Sequence, residues 1–308
     1  MTSIFTSWEP KHSELWGNQP IRLSHRLHGH PLFSRDALAG LIESYPPKAY
    51  MLVAMGAHGE EKLWREGEIG SLSGKQVIDS IAAGRMWLNL IRVNEIDRRY
   101  GALLDDIFAE IEQNVPGYTT FKRINGILIS SPGAQVYYHF DTSGQSLWQI
   151  AGGKRVYVYP PVPPFLTLPA LEEVTLYHNE VNIKYEKWYD EYATVMELGP
   201  GEMLTWPLNC PHRIENWDQL SISMTVEYQT KDIRRRSMVN SANGILRERL
   251  GIEPHRNLAG LGFWTKTAMY GAVKKAGLLE GPRSKRRPRT FRLDPTSPGR
   301  IIDLPAAA

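Results

Sequence analysis

Two imidazoles and one carboxylate in this sequence have the types and spacing to share a metal ion. His139 and Asp141 sit two residues apart in Tyr138-His139-Phe140-Asp141. The stretch reads as a strand, and period 2 then points both side chains to one face. His212 closes a second stretch, Leu198-Gly199-Pro200-Gly201-Glu202-Met203-Leu204-Thr205-Trp206-Pro207-Leu208-Asn209-Cys210-Pro211-His212. There a Pro-Gly turn precedes an apolar strand, a Pro and then the His. Two His and one carboxylate leave three positions of an octahedral ion open. That donor set suits ferrous iron that must also admit O2 and a co-substrate.

Such a site needs strands that face one another. From Phe121 to Tyr228 the sequence supplies short strands with Gly/Pro punctuation: 126–130, 135–140, 146–150, 154–159, 193–198, 203–206, 212–216 and 221–228. No helical pattern separates most of them, which predicts a double-sheet β-barrel or jelly-roll, a double-stranded β-helix. The longest interruption, 161–192, carries Tyr177, Trp188, Tyr189, Tyr192 and His178. A loop of that length is read as a lid, a substrate wall or a surface insert. Tyr137, Tyr138, Trp148 and Trp206 are candidate cavity-lining aromatics or simple core.

Residues 1–120 read as a mixed α+β part that packs on the barrel. Helices are expected over 34–45, from the N-cap Ser73 to Gly84, and from the cap Asn94 to a stop at Pro116-Gly117. Strands are expected over 49–54 and 86–93. His25, His28 and His30 cluster without a carboxylate or Cys and are assigned packing or surface roles. Residues 231–280 read as two helices, whose apolar faces pack on the barrel or on a second copy in a homodimer. Residues 281–308 read as a basic, flexible tail.

Composition agrees with a globular chain. Of 308 residues, 42% are hydrophobic and 22% charged. The single cysteine, Cys210, permits no intrachain disulfide and suggests a reducing compartment. The N-terminal stretch has no signal-peptide pattern, and no run has membrane length, so a cytoplasmic location is expected. Net charge is +3, yet Lys274 to Arg292 alone holds eight basic residues against Glu280. The body is therefore mildly acidic, and the basic end could meet nucleic acid or stay solvated.

The run from His139 to Pro161 resembles the JmjC/cupin-like Fe(II)- and 2-oxoglutarate-dependent hydroxylases. It is especially similar to the group of the asparaginyl hydroxylase that inhibits the hypoxia-inducible factor. Gln149-Ile150-Ala151-Gly152-Gly153-Lys154-Arg155 and Pro160-Pro161 stand at that group's offsets from the His-x-Asp pair. The resemblance covers about Gly126 to Tyr228. It implies that His139, Asp141 and His212 hold Fe(II), that Lys154 pairs with the distal carboxylate of 2-oxoglutarate, and that Gln145 makes an amide contact. Glu202 replaces the usual Asp, Val136 replaces a hydroxyl residue, Glu227 stands where the relative has Asn, and Cys210-Pro211 replaces an aromatic pair.

The activity implied is hydroxylation of a C–H bond in a peptide, protein or small molecule, with O2 as second co-substrate. The same chemistry on a carbon bearing nitrogen would end in demethylation. RNA-directed oxygenase action, suggested by the basic end, and a non-catalytic metal-cupin regulator are the alternatives.

Overall fold

The N-terminal 120 residues build helices on short-range signals. They contribute α1 (Pro10–Leu15), β1 (Ile21–Ser24), α2 (Arg35–Ser44), β2 (Tyr50–Ala54), β3 (Arg65–Glu68), α3 (Gly74–Ala83), β4 (Met86–Leu90), α4 (Val93–Ile96) and α5 (Arg98–Asn114). This is a computed structural model describing residues 3–55, 63–177, 183–279 and 288–305. Ser34 Oγ caps α2 by accepting from Ala37 N at 3.2 Å. Ser73 and Gln76 form a reciprocal capping box at α3. The expected cap Asn94 is corrected: Asp97 caps α5, accepting from Arg99 N at 2.9 Å. Asn94 instead bonds Asn125 in both directions, N to Oδ1 at 2.9 and 3.1 Å, and so ties α4 to the barrel.

Eight strands form the barrel: β5 (Phe121–Ser130), β6 (Gln135–His139), β7 (Gly144–Ala151), β8 (Lys154–Val158), β9 (Thr194–Leu198), β10 (Glu202–Trp206), β11 (His212–Asn216) and β12 (Ser221–Gln229). They divide between two sheets. One runs β6-β11-β8-β9, and the other contains β10-β7-β12-β5. This is the double-stranded β-helix that the strand pattern predicts. Alternation sorts the side chains. Trp148, Met203, Met224 and Val226 point out of the barrel, into one core with Tyr100, Leu104, Ile107, Phe108 and Ile111 of α5. Each such buried side chain contributes about 1.5–3 kcal/mol. Leu147, Val156, Val158, Leu198, Leu204, Trp206 and Ile214 point inward and fill the barrel.

The larger sheet does not end at the barrel. β4, β2 and β3 continue it beyond β5, β1 extends it past β10, and two C-terminal strands follow β3, for ten strands among the described residues. The N-terminal part therefore shares a sheet with the barrel rather than only packing on its outside.

Between β8 and β9, α6 (Leu168–Tyr177) and a 3-10 turn at Lys187–Tyr192 occupy much of the insert; His178 lies outside the described residues. Glu172 on α6 is 1% exposed and accepts from Arg247 and Arg256, both at 2.8 Å. It fastens the insert to α7 (Lys231–Leu250), which Thr230 caps and Gly251 ends in the left-handed region. α8 (Gly260–Lys275) follows.

The flexible-tail expectation needs correction for 289–305. There β13 (Arg289–Leu293) pairs in parallel with β3, and β14 (Ile301–Asp303) pairs with β13. Phe291 is fully buried, its ring directly over Gly67, so apolar burial holds a segment whose charge suggested solvation. Arg283, Lys285, Arg286 and Arg287 lie outside the described residues.

Candidate metal centre

His139 ends β6 and His212 begins β11, directly opposite one another in the antiparallel register. Their rings lie 4.2 Å apart, centroid to centroid. Asp141 follows β6, and its Oδ2 is 3.4 Å from His212 Nε2. One donor atom from each of the three falls within 4.8 Å of the others. The intervening Phe140 is fully buried against Leu166, Leu171 and Val174 of the insert. That anchor turns Phe140 outward and Asp141 inward. The insert thus holds the His-x-Asp stretch from behind. The turn before His212 uses Asn209 in the left-handed region, which Asn tolerates.

The ligating atoms are set by the backbone. His139 Nδ1 lies 2.7 Å from Tyr137 O, and His212 Nδ1 lies 3.1 Å from Cys210 O. A carbonyl only accepts, so each Nδ1 carries the proton and each Nε2 keeps its lone pair for a cation. Burial, with His139 beside it, pushes the His212 imidazole well below its ordinary pKa and keeps it neutral. Burial raises the Asp141 carboxyl, against the opposing effects of His139 and a hydrogen bond from Gln145. A bound dication reverses that penalty. Two neutral imidazoles and a carboxylate that no Lys or Arg of the described residues pairs with fit Fe(II). Gln145 is nearly buried on the inner face of β7, where it orients Asp141.

Lys154 is 2% exposed and shares the inner face of β8 with Val156 and Val158. Among the described residues no carboxylate pairs with it, and burial pulls its pKa down to about 7. Its neighbour across the sheet is Asn216. Beneath it, Gly152-Gly153 turns β7 into β8, with Gly152 at φ +69°. A Cβ on Gly153 would sit 2.0 Å from the Trp217 ring. Gln149 serves structure: its amide bonds Ala151 O, Ser221 Oγ and Ser223 Oγ.

The other expectations divide. Trp206 lies against His212, ring centroids 4.6 Å apart, and lines the site. Tyr138 points outward into the aromatic cluster of the insert, and Trp148 belongs to the core outside the barrel. Tyr137 packs beside Trp87 and Leu128. A bulge in β6 brings Val136, three residues before His139, onto the inner face opposite Ile214. His25 is buried against Trp148, and its pKa falls to about 4 through burial.

Two wall residues were not singled out as site residues from the sequence. Glu227 faces inward on β12, opposite Gln145, and its carboxyl is raised to about 7 by burial and by Asp141. Asn89 reaches the same wall from β4. Gly126, a glycine inside a strand, was the available signal for such a close approach.

No family model and no curated protein sequence matches the chain. Solved structures do. An E. coli ycfD structure aligns over 91% of this chain and 70% of its own, at 19% identity and TM-score 0.52. The E. coli ribosomal oxygenase YcfD crystal structure covers 90% and 68%, at 17% identity and TM-score 0.51. Another YcfD structure, in complex with cobalt and 2-oxoglutarate, gives 19% identity and TM-score 0.51 over 90% and 68%. The chain shares the fold of a ribosomal oxygenase. At this identity the likeness concerns the fold alone. Among the described residues, no helix is long and apolar enough to cross a membrane.

Proposed function

We propose that this chain is an Fe(II)- and 2-oxoglutarate-dependent oxygenase that hydroxylates a C–H bond of a peptide or protein side chain. One observation carries the reading. A three-donor metal set and a buried ammonium with no ion-pair partner among the described residues stand on the inner faces of paired barrel strands. An unpaired buried lysine is costly, and a dianionic co-substrate spanning the two positions relieves that cost.

In this reading His139, Asp141 and His212 hold iron, and Gln145 keeps the Asp141 carboxylate turned toward it. Lys154 receives the distal carboxylate, and Val136, Val156, Leu204 and Ile214 exclude water around the chain between. When bound, iron, 2-oxoglutarate and O2 supply the oxidant that hydroxylates a nearby C–H bond, with succinate and CO2 as co-products. The ribosomal-oxygenase neighbour favours a protein substrate. The motif at Lys154 draws the chain toward the asparaginyl-hydroxylase group. A ferrous centre and a lone buried cysteine suit the cytoplasm.

The test is succinate formation by the full chain. It is expected to require added Fe(II) and 2-oxoglutarate and to vanish in Asp141→Ala. Retained turnover in that variant refutes the reading. The homodimer belongs to the same proposal. Leu261 and Trp264 on α8 are 81% and 61% exposed, with Leu250 of α7 at 65%, an apolar face that a second copy would cover. Trp264→Asp is expected to convert a dimer to a monomer in sedimentation equilibrium; a wild-type monomer removes the idea.

A further inference from the structure

Asp141 lies past the end of the ladder that positions the other two donors. The β6–β11 register stops at the His139–His212 pair. What fixes the carboxylate is therefore what holds the chain around it. On one side is the hydrogen bond from Gln145. On the other is Phe140, wholly buried against Leu171 and Val174 of α6. The position of α6 thus bears on Asp141, one peptide unit away.

α6 is a middle layer. Leu171 and Val174, three residues apart, share the face toward Phe140. Glu172 is turned about 100° from Leu171, toward α7. Its carboxylate is 1% exposed and joins two segments: Oε2 accepts from Arg247 of α7 and Oε1 from Arg256 of the linker before α8, each at 2.8 Å. Both arginines have a further anchor. Arg256 also donates to Asn240 of α7, and Arg247 to Glu253 at 3.1 Å. Lys266 of α8 donates to the carbonyl of His255, next to Arg256. The two helices close up at Gly244 of α7, where a Cβ would stand 3.1 Å from Glu172 O. Apolar packing of Leu171 and Val174 is non-directional and leaves α6 free to slide. Two charge-assisted bonds on one buried carboxylate remove that freedom, because losing either partner strands charge in the interior.

We propose that Glu172 is a positioning residue for the metal centre: its grip on Arg247 and Arg256 sets α6, α6 seats Phe140, and Phe140 aims the Asp141 carboxylate. The C-terminal helices contribute none of the three donors, yet they set metal affinity from behind the insert. The inference rests on the reading of His139, Asp141 and His212 as a metal site.

Competition between the full chain and a chelating dye for Co(II), with the absorption spectrum of the cobalt complex, tests it. Glu172→Gln keeps the shape of the side chain and removes its charge. It is expected to weaken Co(II) binding about tenfold, the lower end of the range for groups that orient a ligand, and to shift the spectrum toward that of Asp141→Ala. Arg256→Met loosens the same latch from the other side and is expected to weaken binding by a smaller factor. In a Phe140→Leu background, adding Glu172→Gln is expected to cost no more than about twofold further, because the relay is already cut. Glu112→Gln breaks an ion pair with Arg123 on α5 and controls for stability; it is expected to bind Co(II) as wild type does. Wild-type affinity in Glu172→Gln, an equal loss in Glu112→Gln, or a full second loss on top of Phe140→Leu overturns the proposal. If Glu172→Gln fails to fold, Arg256→Met takes its place in the same cycle. If wild type binds no cobalt, the metal reading fails on its own, and hydrogen exchange of the ligand-free protein decides the relay. There Glu172→Gln is expected to speed exchange across 135–144 and to leave 221–229 as in wild type; unchanged exchange across 135–144 overturns the proposal.

Discussion

His212 and Lys154 stand on the inner faces of two paired strands, four residues out of step. Val158 is level with His212, and Lys154 is level with Asn216. At about 3.3 Å per residue the offset along the strand is roughly 13 Å. In the proposed reading one antiparallel register defines the co-substrate site, and a slip of one residue would turn Lys154 out of the barrel.

Lys154→Met tests the cost of that arrangement. The lysine is buried among apolar side chains with no described ion-pair partner, so the substitution removes a desolvation penalty. The ligand-free protein is expected to gain on the order of 1–3 kcal/mol and a few degrees in Tm. Binding of 2-oxoglutarate to the Zn(II) form is expected to be lost. Denaturant unfolding and calorimetry read the two effects, and a destabilised variant would mean that the ammonium has a partner in the ligand-free protein.

The same residue sets a pH dependence. Its folded pKa of about 7 lies below the ordinary 10.5. Between those values the unfolded chain binds the extra proton, so stability of the ligand-free protein rises with pH across that window. Affinity for 2-oxoglutarate moves oppositely, falling as pH climbs above about 7, because the lysine must then gain a proton before it can pair. In Lys154→Met the stability slope over this window is expected to flatten.

Gln145→Leu removes the hydrogen bond to Asp141 and leaves all three metal donors in place. Zinc or cobalt affinity is expected to fall about 10–100-fold, the range for groups that orient a ligand. Competition with a chelating dye measures it. An unchanged affinity would show that Phe140 and the insert hold Asp141 unaided.

Gly153→Ala puts a methyl within the Trp217 ring. The indole must shift, at about 1–3 kcal/mol. Because Gly153 adjoins Lys154, 2-oxoglutarate affinity is expected to drop with stability. Thermal unfolding with and without co-substrate separates the two, and a wild-type Tm would show that the ring moves freely.

Much of the centre was legible in the primary structure because it rests on local rules. Period 2 along β8 and β11, the Gly152-Gly153 turn and the His-x-Asp spacing are short-range features, and they fixed which residues face inward. The metal set came together as those rules required. What alternation left open was decided by contacts between distant elements. Tyr138 and Trp148 face away from the cavity because the barrel has a second core outside it, made by α5 and the insert, which strand alternation alone does not reveal. Asn94 gave up its cap for Asn125, a partner on a different element.

Residue type and strand alternation specify the candidate donors and the strands that carry them, since both act over a few neighbours. Tertiary structure alone decided that β13 leaves the basic end to pair with β3, that β4 joins the barrel's sheet, and that Asn89 reaches the inner wall over Gly126. Each depends on backbone hydrogen bonds or close approach between segments distant in the chain, and local spacing carries no information about such partners.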